Sequence, residues 1–236
     1  YSLMWGRPLR SIFAKFNDKK LEFKLDHLET TDEVIIEQDL IFKTKKINNF
    51  KEYLAFLKSY KIIVNHKERE QIILKKISSI SKSKDYKENL NPRLVEEVVN
   101  IVEDPNILLV SFNKDYLKIP QEIIISTLEK HQRYFPIFDK RNQLKNFFFV
   151  VANKKDEKKL ITEGNKRVVE ARLADAKFFW DKDRSKNLIK QIVNLKSIIF
   201  YEKLGTIYDK TQRLRQLAGF LSDDLNINKE KVQVAA

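Results

Sequence analysis

The sequence predicts an α+β fold: a mixed-sheet α/β body over residues 1–181, followed by the start of an all-helical domain over residues 182–236. Three observations predict it. Hydrophobic residues make up 42% of the chain and aromatic residues 11%, enough for a packed core. Up to Val151, short β-branched or alternating runs interleave with stretches of helical spacing, without the strict strand–helix alternation of a doubly wound sheet. From Lys158 onward only helical spacing remains.

The elements follow in order. Pro8 to Phe16 reads as a strand, and Leu21 to Leu25 as a second, with Leu21, Phe23 and Leu25 on one face. Asn17-Asp18 between them is a hairpin turn. Glu33 to Thr44 holds two more strand-like runs. Asn49 can cap a helix in which Phe50, Tyr53, Leu54 and Leu57 share a face. Ile62-Ile63-Val64 reads as a short buried strand, His66 to Ser81 as a helix and Ser81 to Asn91 as a polar loop. Asn91-Pro92 opens a helix with proline at the favoured first position, its apolar face Leu94, Val95, Val98, Val99 and Val102, and Asp104-Pro105-Asn106 ends it. Ile107 to Phe112 is of the fully buried strand type. Pro120 starts a helix running to His131. Tyr134 to Phe138 and Asn146 to Val151 are strands joined by a polar turn at 139–142. A long helix spans roughly Lys158 to Trp180, and the charged run at Asp181–Ser185 sets the domain boundary. Helices follow at Asn187–Ile199, at Thr206–Leu221 and from Asn228.

The formal charge is +13, which draws polyanions to the surface. Lysine dominates, with 35 Lys to 11 Arg, a mixture that codon bias also produces. The excess leans to the second half: residues 1–118 hold 22 basic and 18 acidic residues, and residues 119–236 hold 24 and 15.

Several chemistries are excluded. Cysteine is absent, which removes disulfides, thiolate metal sites and a cysteine nucleophile, and fits a reducing, cytoplasmic compartment. No run is long and apolar enough for a membrane span, and Tyr1 to Trp5 lacks a signal-peptide layout. The chain starts without Met and its last helical pattern stops abruptly, so it is expected to be a piece of a longer protein. His27, His66 and His131 lie far apart, with no metal-ligand spacing. Gly6, Gly164, Gly205 and Gly219 do not assemble a phosphate-cradling loop. The pairs Glu96-Glu97, Asp156-Glu157 and Asp223-Asp224 diverge by about 100° on a helix and read as solvated faces. No catalytic residue, metal site or bound cofactor is expected within the chain.

Three stretches are richer in unusual combinations than a core requires. Met4-Trp5-Gly6-Arg7-Pro8-Leu9-Arg10 sets an indole beside two guanidinium forks. Thr127 to Pro136 carries Lys130, His131, Arg133 and Tyr134 where a helix runs into a strand, although cations at a helix C-terminus are also favoured by the dipole. Glu163 to Trp180 carries Lys166 and Arg167, and spaces Arg172 and Asp175 for an ion pair within the helix. A fourth stretch, Glu202 to Lys210, sets a glycine turn before a capped helix.

These strings resemble the beta subunit of bacterial heteromeric glycyl-tRNA synthetase. The matches are MWGRP (4–8), EVVNIVEDP (97–105), LVSF (109–112), ISTLEKHQRYFPIFD (125–139), FVVAN (149–153), EGNKRVVEARLADAKFFWDKD (163–183) and EKLGTIYDK (202–210), in the family's order. The resemblance implies a class II enzyme. Its alpha subunit forms glycyl-adenylate from glycine and ATP with Mg²⁺, and its beta subunit binds tRNA(Gly) in an alpha2beta2 assembly. It further implies a body similar to a tRNA synthetase editing-type fold, with the anticodon-binding region further along. Residues 28–48 lack the family's T-R-G-H-R-F-type run, so no RNA contact carries over there.

The expected RNA-binding residues are Arg7, Arg10, Lys130, His131, Arg133, Lys166, Arg167, Lys203 and Lys210. Two alternatives accompany this reading. One is a module docking on the alpha subunit through Phe147–Phe149 and Phe178-Phe179-Trp180. The other is a hydrolase built on His131 and Thr127 one turn earlier.

Overall fold

The computed structural model describes residues 9–38 and 41–236. The fold is α+β. Two compact units form, one ending at Leu173 and the other running from Ala174 to Ala236. The division falls inside a long helix, upstream of the charged run at 181–185.

The first unit opens with β1 (Ile12–Phe13), β2 (Lys15–Phe16), β3 (Lys19–Lys20), β4 (Lys24–Leu25) and β5 (Leu28–Thr31). β5 runs parallel to β1 and antiparallel to β4, while β2 and β3 form the expected hairpin. Asn17 and Asp18 carry φ of 45° and 60°, the two left-handed positions of a primed turn that matches strand twist. The continuous strand expected at Leu21–Leu25 does not form. The Thr30 side chain takes its place, donating to the Leu21 carbonyl at 2.7 Å and accepting from the Phe23 N–H at 3.4 Å, so Leu21 and Phe23 stay exposed.

β6 (Glu33–Gln38) and β7 (Ile41–Lys46) pair antiparallel, and α1 (Phe50–Ser59) follows. Asn49 caps α1, accepting from the Glu52 N–H. Val34, Ile36, Ile47 and Leu57 form a small core, with Phe13, Tyr53 and Phe56 packed against it. Val34, Ile36 and Ile47 of the 28–48 stretch thus serve the core of this region.

The main core uses α2 (His66–Ser83), β8 (Lys87–Glu88), α3 (Pro92–Ile101), β9 (Asn106–Ser111), α4 (Gln121–Ser126), β10 (Phe135–Phe138), β11 (Leu144–Ala152) and α5 (Leu160–Arg184). The four strands form an antiparallel sheet in the order β8-β10-β11-β9, and the parallel pairing sits in β1–β5. Ile73, Ile77, Leu94, Val95, Val98 and Val99 pack against Phe135, Ile137 and Phe149. On the opposite pleat Phe148 stacks on Tyr134 with ring centroids 5.1 Å apart. β11 is therefore covered on both faces, which accounts for the unbroken FFFVV run. Each fully buried phenylalanine contributes about 1.5–3 kcal/mol of transfer free energy.

Ile62-Ile63-Val64 forms no strand. Its polar groups are met from afar: the Ile63 N–H donates to the Glu103 carbonyl at 3.0 Å, and Arg69 donates to the Ile63 and Val64 carbonyls at 2.6 and 2.9 Å.

In the second unit, α6 (Leu188–Gln191) passes into a tighter 3₁₀ turn at Ile192–Ser197, shortening the helix expected to reach Ile199. Strands do reappear after Lys158: β12 (Ile199–Tyr201) pairs with β13 (Gly205–Thr206). α7 (Ile207–Asp224) and α8 (Lys229–Ala235) complete the unit, capped by Thr206 and Asn228. Among the described residues no helix is long and apolar enough to cross a membrane.

Candidate nucleic-acid interface

The helix that starts after Pro120 changes character before it ends. α4 passes into a π turn at Thr127–His131, a widening often met at functional positions. The Thr127 hydroxyl donates to the Ile123 carbonyl at 2.8 Å. Among the described residues it makes no hydrogen bond to His131, so the pair lacks the hydroxyl–imidazole contact of an activated nucleophile.

Arg133 then turns the chain with φ of 60°, a left-handed conformation that costs an L residue about 1–2 kcal/mol. Its guanidinium offsets that cost. Nε pairs with Glu97 on α3 at 2.7 Å, and Nη1 donates to the Lys130 carbonyl. The cleft beside it, about 320 Å³, is lined by Arg93, Lys130 and Arg133 but also by Glu97 and Glu129. Its charge is mixed, and Arg133 has two of its five donors engaged in holding the corner. Lys130 and His131 differ: both are exposed, and neither side chain has a partner among the described residues.

α5 is fixed at its start by Asp156. Its carboxylate accepts from the Ile161 and Thr162 N–H groups at 2.9 and 2.7 Å. Desolvation pushes its pKa up, but these donors together outweigh it and hold the carboxyl below its ordinary value. One turn further, Asn165 Nδ2 donates to the Ile161 carbonyl at 2.6 Å, which leaves Oδ1 to accept from the Tyr134 hydroxyl. Tyr134 is buried, and burial raises its phenol pKa, so it is neutral and donating. Val169 and Leu173 bury the same side of α5, and Glu170 accepts from the Asn113 N–H at 2.9 Å. Lys166, half-buried, and Arg167, exposed, directly follow Asn165, and neither has a side-chain partner among the described residues.

The Tyr134–Asn165 bond thus fastens the strand leaving the 130–133 turn to the stretch of α5 that carries Lys166 and Arg167. The remaining candidates take no part in that bond. Arg10 is paired with Glu37 on β6. Arg7, with the rest of MWGRP, lies outside the described residues. Lys203 and Lys210 belong to the second unit, where Lys210 Nζ sits 4.2 Å from the Phe200 ring centroid. The ion pair expected between Arg172 and Asp175 is not formed: both are exposed and, among the described residues, no ion pair joins them.

The sequence pointed to both stretches but not to their junction, nor to Glu97 as the partner of Arg133. Both contacts join residues more than thirty positions apart. Of the aromatic docking candidates, Phe148 and Phe149 are fully buried and Phe147 packs on the α2–α3 core. Phe178 and Phe179 are exposed and meet edge to face at 5.5 Å. Among the described residues no three His, Asp or Glu side chains gather as metal ligands.

The comparisons with known proteins agree along the whole chain. The family model described as glycyl-tRNA synthetase beta subunit matches residues 1–236. The glycine–tRNA ligase beta subunit of Thermodesulfovibrio yellowstonii is 36% identical over 237 residues, covering 100% of this chain and 35% of the relative. That of Clostridioides difficile is 35% identical over 230 residues, covering 98% and 33%. That of Listeria monocytogenes is 32% identical over 240 residues, covering 98% and 35%. The chain spans about a third of the length of these curated relatives. With a family match over its full length, the chain belongs to the glycyl-tRNA synthetase beta subunit family.

Proposed function

We propose that this chain is a tRNA-holding part of a heteromeric glycine–tRNA ligase, in which an alpha subunit joins glycine to tRNA(Gly). On this reading Lys130, His131, Lys166 and Arg167 meet phosphates of the tRNA. ATP and Mg²⁺ enter only as reagents of the alpha subunit, and an alpha2beta2 assembly is the expected complex. The observation that carries the reading is the Tyr134–Asn165 bond, which ties together, within one unit, two segments bearing cations that have no partner among the described residues. Backbone segments already held in place bring their cations to a phosphate chain with less ordering cost than mobile ones. The test is tRNA(Gly) affinity as a function of salt. Each phosphate contact contributes about 0.7 to the slope of log affinity on single strands and about 0.9 on B-form DNA, so Lys130→Gln and Lys166→Gln should each flatten it by somewhat less than one. A wild-type affinity that does not respond to salt overturns the proposal.

A second reading, docking on the alpha subunit, is favoured by one observation: Phe178 and Phe179 are 61% and 58% exposed on α5. Loss of co-elution with alpha in Phe178→Ala or Phe179→Ala, with tRNA binding retained, would support it.

A further inference from the structure

The hairpin of the second unit has a chemistry of its own. Its register sets Ile199 opposite Thr206 and Tyr201 opposite Gly205. The pairing slips by one residue between Ile199 and Tyr201, so Phe200 is an extra, bulged residue beside Tyr201, and Ile199 and Tyr201 fall on opposite faces of the hairpin. Tyr201 is 63% exposed, has no ring partner among the described residues, and faces a glycine that offers no side chain to cover it. The two neighbouring rings each hold a lysine: Lys210 Nζ is 4.2 Å from the Phe200 centroid, and Lys196 Nζ is 4.8 Å from that of Tyr208. Lys203 is exposed two residues beyond Tyr201. The carboxylates nearby are Glu202 and Asp209, and Asp209 is committed to the backbone and hydroxyl of Thr206 at 2.8 Å.

An open tyrosine face next to a ring that holds one lysine, with a second lysine on Tyr208 and a third exposed in the turn, suits a flat apolar group flanked by negative charge. That is a nucleotide of single-stranded RNA, whose bases stack on aromatic side chains while cations follow the backbone. A protein partner with an apolar face would have to desolvate three lysines against it, which disfavours that occupant. The rings also restrict the rotamers of Lys196 and Lys210 before any ligand arrives, which lowers the ordering cost of a phosphate contact.

We infer that the 199–206 hairpin is a stacking platform for an unpaired RNA nucleotide, with the base on Tyr201 and the adjoining phosphates on Lys196, Lys203 and Lys210. The platform rests on the RNA-holding reading above but uses different residues in a different unit.

The experiment titrates the 236-residue chain with two probes: intact tRNA(Gly), and a short unstructured oligouridine carrying one 2-aminopurine. The oligonucleotide should bind with quenched fluorescence. Tyr201→Ala should weaken that binding about tenfold and abolish the quench, while Tyr201→Phe keeps both. Lys196→Gln and Lys210→Gln should each lower the salt slope by about 0.7. Circular dichroism of each variant confirms folding, which the exposure of Tyr201 favours. If tRNA binds but the oligonucleotide does not, or Tyr201→Ala binds it as the wild type does, the platform is overturned and the RNA-holding reading stands. If neither RNA binds, both fall. If Tyr201→Ala keeps RNA binding but loses capture of the alpha subunit, the hairpin is a protein contact and the inference is wrong.

Discussion

Tyr134 donates its hydroxyl hydrogen to Asn165 Oδ1 across the junction between the β10 strand and helix α5, and Asn165 in turn donates to the Ile161 carbonyl within the helix. The phenol ring is held by stacking on Phe148, so the bond has little freedom to shift. Removing the hydroxyl leaves a half-buried amide oxygen without its donor. Tyr134→Phe should therefore cost about 1–3 kcal/mol in urea unfolding. Pairing it with Asn165→Leu should cost less than the sum of the single changes, because the orphaned acceptor is then gone.

Arg133 offers a test that separates strain from bonding. Arg133→Ala removes the ion pair with Glu97 and the bond to the Lys130 carbonyl but keeps a side chain at φ 60°. Arg133→Gly removes the same bonds and relieves the backbone. The glycine variant should be the more stable of the two by about 1 kcal/mol, measured by thermal or urea unfolding. Equal stabilities would mean that the left-handed corner is not strained.

The comparison of sequence and structure turns on the range of each contact. The hairpin turn at Asn17-Asp18, the Asn49 cap, the helix starts at Asn91 and Asn228 and the proline-led α3 were legible because their causes lie within four residues. Ile62-Ile63-Val64 was misread because its carbonyls are taken by Arg69, a side chain projecting from the next helix. Leu21–Leu25 had the right alternation, but Thr30 competes for its backbone. The 199–206 hairpin was hidden by Ile198 to Tyr201, whose apolar run continues the spacing of the helix before it. At the candidate interface the cations were visible as residues. That Arg133 is spent on Glu97, while Lys130, Lys166 and Arg167 have no partner among the described residues, depends on packing between distant segments.

The cap of α5 predicts a pH response. Asp156 is held below its ordinary pKa in the folded chain, so its contribution is present above the unfolded value and is lost as pH falls through the folded one. Amide exchange at Ile161 and Thr162 should therefore quicken only below the usual carboxylate range. In Asp156→Asn the same amides should exchange with no such acid step. An unchanged acid step in that variant would assign it to another group.

Gly205 gives the most demanding prediction, because its conformation and its neighbour act together. Its φ is 78°, and a Cβ there would lie 2.4 Å from Asp209 Oδ2. That oxygen accepts from the Thr206 N–H and hydroxyl, while Thr206 Oγ1 accepts from the Asp209 N–H at 3.2 Å, closing the capping box that starts α7. Gly205→Ala must either strain the left-handed turn or push the carboxylate out of the box. The expected cost is about 2 kcal/mol, the backbone and cap contributions combined. Asp209→Ala alone loses only the cap, about 1 kcal/mol. In the double variant the clash has no partner, so its cost should fall below the sum of the two single changes. Strict additivity would show that the contact between Gly205 and Asp209 does not govern the turn, and that backbone conformation alone selects glycine there.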